Sequence, residues 1–165
     1  MVTIVNSFIL PDDIVKKMKD KIGETKEKKI ELGFGLCRIG KSNIIKSGGD
    51  CTGTECALTE PRECRVGSYV GGYHTHPRTG TKPSITDLII AYDEGFECIG
   101  SVIENDVKCV VRAGSIVPQV REEISGALKN IEETLEETVT KEELQRWENT
   151  RDDILNKHFN VVNVK

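Results

Sequence analysis

The amino-acid sequence predicts an α/β domain that ends in a helical extension. Three observations lead there. Over the first 115 residues, short apolar runs bounded by glycine, proline and asparagine alternate with two segments of helical periodicity. Beyond Pro118 the apolar residues recur at spacings of three and four on an otherwise acidic background. The chain, at 165 residues, is long enough to bury an ordinary core, and it carries no internal repeat. The expected organisation is a core over residues 1–115 and a helical extension over residues 116–165, packed on the same domain.

The elements follow in order. PDDIVKKMKDKI, residues 11–22, predicts a short helix, with Asp12 and Asp13 favouring its N-terminal dipole and Ile14, Met18 and Ile22 forming an apolar stripe. KKIELGFGLCRIG and NIIKSG read as two strands joined around Lys41 and Ser42. Residues 48–66, with their glycines, Pro61 and three cysteines, read as a long loop leading into the strand VGSYVGGYHTH. A loop containing glycine and proline then precedes a helix from Ser84 to Asp93. CIGSVIE and VKCVVR form a hairpin turning at Asn105 and Asp106. In the extension, Val120, Ile124, Leu128, Ile131, Leu135 and Val139 mark one helix. TKEE, Thr140 to Glu143, is a capping box for a second helix that carries Leu144, Trp147, Ile154 and Leu155. FNVVNV closes the chain as an edge strand.

Charge and hydropathy exclude several classes. A net charge of −4 spread along the chain argues against nucleic acid as the main partner. No apolar run approaches the ~20 residues of a membrane helix. MVTIVNSFIL lacks the basic start of a signal peptide, so the expected compartment is cytoplasmic. The C-terminal helices offer a surface for homo-oligomerisation.

The cysteines stand at 37, 51, 56, 64, 98 and 109. A reducing cytosol leaves such residues as thiols, hyperthermophile proteins excepted. With the turn at Asn105 and Asp106, Cys109 falls opposite Val102, and Cys98 lies too far along its strand for a disulfide. Both then read as core thiols. Cys51, Cys56 and Cys64 lack the CxxC spacing of a structural zinc site, and from a thermophilic source at least one of them is expected in a disulfide.

The chemistry concentrates in GGYHTHPRTGTKPSITDL, residues 71–88. Side chains at i and i+2 of a strand share a face, so His74 and His76 can reach one metal ion together. Asp87 follows in the first turn of a helix, within reach of the same point. Two imidazoles, one carboxylate and a position left for water describe a catalytic zinc site. Taken singly, alternating histidines read as an exposed polar face and SITD as a capping box; their conjunction points to chemistry.

The arrangement resembles the JAMM (MPN+) metalloproteases, the zinc isopeptidases of the MPN domain family. Their signature is H-x-H-P, six residues, then S-x-x-D. This chain reads His74-Thr-His76-Pro77, then RTGTKP, then Ser84-Ile-Thr-Asp87, matching every specified position. The family's upstream glutamate is matched by Glu31 in KKIELGFGLC, which lies inside a strand pattern, unlike Glu24, Glu27, Glu60 and Glu63.

The resemblance implies an MPN domain, a mixed β-sheet flanked by helices in a cytidine-deaminase-like layering. It implies Zn²⁺ held by His74, His76 and Asp87, with Glu31 moving the proton and Ser84 stabilising the oxyanion. The implied reaction is hydrolysis of peptide or isopeptide bonds after the C-terminal Gly-Gly of ubiquitin-like or sulfur-carrier proteins, a substrate class that lays an extended tail along the sheet. Gly71, Gly72 and Gly80 either leave that tail space or serve as turn residues. Between Asp87 and the hairpin there is little room for the insertion some eukaryotic relatives use to grip ubiquitin chains. The alternatives are a non-catalytic MPN scaffold, whose members usually lose the metal ligands kept here, and a JAMM peptidase with a different peptide substrate. H-E-x-x-H is absent, as is H-x-E with P-C-x-x-C, which disfavours thermolysin-like and deaminase chemistry. His158 reads as a helix-end residue at a C-terminal dipole.

Overall fold

A computed structural model of the chain describes residues 3–5, 7–58, 60–134 and 140–165; Leu135 and Val139 of the predicted stripe lie outside them. The N-terminus forms a small hairpin for which the sequence carried no clear signal, β1 (Thr3–Val5) paired antiparallel with β2 (Phe8–Leu10). Helix α1 (Asp12–Lys28) begins with two acids and continues past the expected end at Ile22. Gly23 costs a helix about 1 kcal/mol, but tertiary packing outweighs it: Thr25, two residues on, is fully buried. The helix stops where Lys29 turns left-handed at φ 60°.

The remaining elements are β3 (Leu32–Arg38), β4 (Ile45–Thr52), two short 3₁₀ turns (Gly53–Ala57 and Glu60–Arg62), β5 (Ser68–His76), α2 (Ile85–Glu94), β6 (Phe96–Ser101), β7 (Asp106–Arg112), α3 (Pro118–Thr134), α4 (Lys141–His158) and β8 (Phe159–Val164). The main sheet has six strands in the order β4-β3-β5-β6-β7-β8. Its β5–β6 pair is parallel and the others are antiparallel. This is a mixed α/β architecture, and α2 is the crossover that a parallel pair requires.

Each sheet face has its own core. On one, Met18 and Ile22 of α1 join Phe34, Leu36, Tyr73 and Phe96. On the other, Leu88 of α2, Ile124 of α3 and Ile154 of α4 meet Ile99 and Val110. The extension therefore packs on the sheet, and as β8 it also supplies an edge strand to it. Among the described residues, no helix is long and apolar enough to cross a membrane.

Three expectations need correction. Residues 48–52 belong to β4, and the segment after them folds into the two 3₁₀ turns. Glu31 stands immediately before β3, not within it; its carbonyl accepts the Gly53 N–H at 2.7 Å. Cys98 and Cys109 are not separate thiols. The β6–β7 register pairs Ser101 with Asp106 and sets Cys98 directly opposite Cys109, and the two form a disulfide. The turn is longer than expected because Asp106 opens β7, its side chain accepting the Val107 N–H, while Ser101 Oγ accepts the Glu104 N–H. The other cysteines pair as Cys37–Cys64 and Cys51–Cys56, so each of the three loop cysteines is in a disulfide.

Candidate metal centre

The last residues of β5 alternate between the two faces of the sheet. His74 and His76 point toward α2 and are nearly buried, at 4% and 9% exposure. Thr75 points the other way, into the α1 side. Its Oγ1 lies 2.6 Å from that of Thr25, accepts the Leu32 N–H at 2.9 Å and lies 3.2 Å from the Leu32 carbonyl. Those bonds fix the end of β5 and the residue that follows Glu31.

Asp87 arrives from the first turn of α2, at the carboxyl end of the strands where open α/β sheets place their ligands. A reciprocal capping box sets its orientation. The Ser84 N–H donates to Asp87 Oδ2 at 2.9 Å, and the Asp87 N–H donates to Ser84 Oγ at 3.1 Å. The same carboxylate lies 3.1 Å from His74 Nε2 and 3.5 Å from His76 Nε2, and the two Nε2 atoms are 3.2 Å apart. The capping box and the histidine contact, alternatives at the level of sequence, are thus one arrangement.

These spacings suit a metal ion. Ligand atoms about 2.0–2.1 Å from a tetrahedral zinc stand roughly 3.3 Å from one another. The far side of each ring agrees: His74 Nδ1 is 3.0 Å from Glu97 Oε1, and His76 Nδ1 is 2.8 Å from the Gly80 carbonyl. Both acceptors call for Nδ1–H, which frees Nε2 as a ligand.

The electrostatics also favour a cation. Burial works to lower the His74 pKa, but Asp87 and then Glu97 outweigh it and hold the ring well above its ordinary value. Burial works to raise the Asp87 carboxyl, and His74 and His76 hold it far below the carboxylate range instead. Glu97 is itself paired with Arg62, so the Asp87 carboxylate is the negative charge left to face the two Nε2 atoms.

A cleft of about 1020 Å³ opens over this cluster, and Glu31, Ser84, Cys56 and Arg151 share its walls with the histidines. Glu31, His74 and His76 offer ligand atoms that all lie within 4.8 Å of one another, so this group could hold a metal ion. Burial raises the Glu31 carboxyl above its ordinary value, against the opposing pull of His74 and His76. That direction suits a group that must accept and release a proton near neutral pH. Ser84 is exposed to the cleft. Its Oγ accepts a backbone N–H, which leaves its own O–H to donate.

The structure thus brings together Glu31, His74, His76, Ser84 and Asp87. The first 3₁₀ turn borders the cleft through Thr54, Cys56 and Ala57, and Arg151 reaches it from α4. Gly80 lines the cleft, but the space a side chain would take at each of the three glycines is already filled by the protein. A Cβ at Gly71 would come 2.2 Å from the Phe96 carbonyl oxygen, at Gly72 1.9 Å from Arg62 Nη1, and at Gly80 2.3 Å from Glu104 Oε1. Each makes room for a protein neighbour. His158 ends α4, with Nε2 3.3 Å from Glu123 Oε2.

Glu97, Arg62, Thr25 and Thr75 were not singled out from the sequence. Glu97 left a faint signal as an acid inside the apolar run FECIGS; Arg62 left none. No protein-family model matches the chain, and no match was found among curated proteins.

Proposed function

We propose that the chain is a zinc-dependent peptidase of the JAMM type on an MPN domain, with Zn²⁺ held by His74, His76 and Asp87. The observation that carries this reading is the convergence of two Nε2 atoms and one carboxylate at 3.1–3.5 Å, with each Nδ1 committed to an acceptor. Asp87 is preferred to Glu31 as the third ligand because its carboxylate touches both rings from a helix start that the capping box holds rigid.

Zinc, when bound, supplies Lewis acidity: it polarises a scissile carbonyl and makes water nucleophilic at neutral pH. The protein's own residues do the rest. Glu31 takes the proton of the attacking water and passes it to the leaving amine, a role suited to a raised carboxyl at the cleft wall. The Ser84 hydroxyl donates to the carbonyl oxygen as it gains charge, and the capping bond from Asp87 N–H orients it for that. Neither residue forms a covalent bond to the substrate. The buried rings stay fixed while the open cleft admits an extended chain.

The proposed substrates are ubiquitin-like or sulfur-carrier proteins, cut after a C-terminal Gly-Gly at an isopeptide bond to lysine or in a linear fusion. The test is incubation of the zinc-loaded protein with such conjugates, followed by mass spectrometry of the products. Cleavage directly after the second glycine is expected, with loss of activity on chelation and a sharp fall in kcat/KM when the penultimate glycine becomes bulky. If the zinc-loaded protein ignores every Gly-Gly conjugate, or cleaves the bulky variant equally well, this substrate class is refuted.

A further inference from the structure

One buried ion pair has no part in the roles above. Arg62 Nη1 donates to Glu97 Oε1 at 2.7 Å, both side chains are 0% exposed, and the same Oε1 accepts from His74 Nδ1 at 3.0 Å. We propose that Arg62 and Glu97 are positioning residues for the metal site: Arg62 fixes the Glu97 carboxylate, and Glu97 fixes the His74 ring with Nε2 toward the ion. The inference rests on the metal reading of His74.

Stability alone accounts poorly for this pair. Withdrawing two charges from water costs several kcal/mol per ion, and apolar replacements of similar volume often do as well or better. Nor is the pair built for the best hydrogen bonding. Arg62 Nη2 and Glu97 Oε2 are buried with no hydrogen-bond partner among the described residues. The two hydrogen bonds to Glu97 converge instead on a single oxygen, the one that faces His74.

The chain nevertheless makes an unusual seat for it. A Cβ at Gly35 of β3 would come 1.7 Å from the Arg62 carbonyl oxygen, one at Gly48 of β4 2.7 Å from the same atom, and one at Gly49 2.1 Å from the Pro61 carbonyl oxygen. Gly72 of β5 lies under the guanidinium itself, a Cβ there falling 1.9 Å from Nη1. Four glycines on three adjacent strands are thus cleared for one arginine and the proline before it.

The segment that carries Arg62 is tied down on both sides. Cys51–Cys56 holds the chain before it to β4, and Cys37–Cys64 holds the chain after it to β3. The Arg62 Nε–H donates to the Leu58 carbonyl at 3.2 Å. The result is a rigid strut running from the surface turn to the back of a metal-facing imidazole.

The two histidines are consequently supported unequally. His76 Nδ1 meets a neutral carbonyl, whereas His74 Nδ1 meets a carboxylate. A carboxylate behind a ligating imidazole fixes its tautomer and raises its basicity, and loss of such a partner weakens metal binding by roughly 10–100-fold.

The test uses the double variant Arg62→Met/Glu97→Gln, which removes both charges together and leaves no buried ion unpaired. Zinc affinity is measured by chelator competition and ligand geometry by the visible spectrum of the cobalt-substituted protein, with circular dichroism to verify the fold. We expect zinc affinity about 10–100-fold weaker than wild type and an altered cobalt spectrum, with much of the affinity retained in Arg62→Lys, which keeps a cation against Glu97. A folded double variant with wild-type affinity and spectrum would overturn the proposal and leave the pair a structural one. If the double variant does not fold, Glu97→Asp takes its place, drawing the carboxylate back by one methylene while keeping its charge; weaker zinc binding supports the proposal and unchanged binding overturns it. A wild-type protein that binds no zinc would instead overturn the metal reading, and this proposal with it.

Discussion

Replacing Thr75 by valine isolates what lies behind the two histidines. The side chains are nearly isosteric, so the change opens no cavity and its effect is polar. Thr75 Oγ1 accepts the Leu32 N–H at 2.9 Å and lies 2.6 Å from Thr25 Oγ1, and both threonines are fully buried. Valine orphans the Leu32 N–H and the Thr25 hydroxyl. A buried polar group stripped of its partner costs about 1–3 kcal/mol, so the two together destabilise the protein by about 2–6 kcal/mol. In a chain of this size that corresponds to a Tm lower by roughly 5–20 °C. Thr75→Ser keeps the hydroxyl, loses one methyl group and should cost only about 1 kcal/mol. The assay is urea unfolding of the zinc-free protein, so that metal binding to the folded state does not mask the difference. The expected result is a lower midpoint at an unchanged m-value. If valine leaves the midpoint at its wild-type value, or serine costs as much as valine, the hydroxyl bonds do not anchor this strand end.

Other consequences are open to measurement. Glu31→Gln should retain zinc and the wild-type melting temperature while kcat falls by about 10²–10⁴-fold, because an amide cannot take the water's proton; wild-type turnover would move that role to another group. Ile154→Ala should destabilise the protein by about 2–5 kcal/mol, since Ile154 is buried in the cluster that holds Leu88 and Ile99; a negligible change would mean that the extension does not share this core. Thiol titration under denaturing, non-reducing conditions should find no free thiols, every cysteine being paired. A count of six would refute all three disulfides.

The legible parts of the fold are those set by local signals. His74 and His76 share a face because strand side chains alternate, and the Ser84–Asp87 box declares a helix start; both readings need only a few consecutive residues. Partnerships across the chain were not legible. Arg62 and Glu97 are 35 positions apart, and nothing near either residue signals the other. The Cys98–Cys109 pair was missed through register alone: Asp106 serves as a strand residue that caps its neighbour, which lengthens the turn and moves every pairing behind it. Helix α1 runs past Ile22 because the burial of Thr25 against Thr75, a partner far along the chain, carries it on. The sequence pattern places Glu31 in a strand, but the ladder begins one residue later.

The central claim is that His74, His76 and Asp87 form a zinc site, and zinc stoichiometry in the purified chain and two variants tests it most directly. His76→Ala removes one ligand. Asp87→Asn removes the charge and keeps an oxygen to accept the Ser84 N–H, so the helix start survives. After reconstitution and desalting, the account predicts one zinc per wild-type chain and a marked loss of bound zinc in both variants, with circular dichroism unchanged. A folded wild-type chain that retains no zinc, or variants that retain as much as wild type, would contradict it.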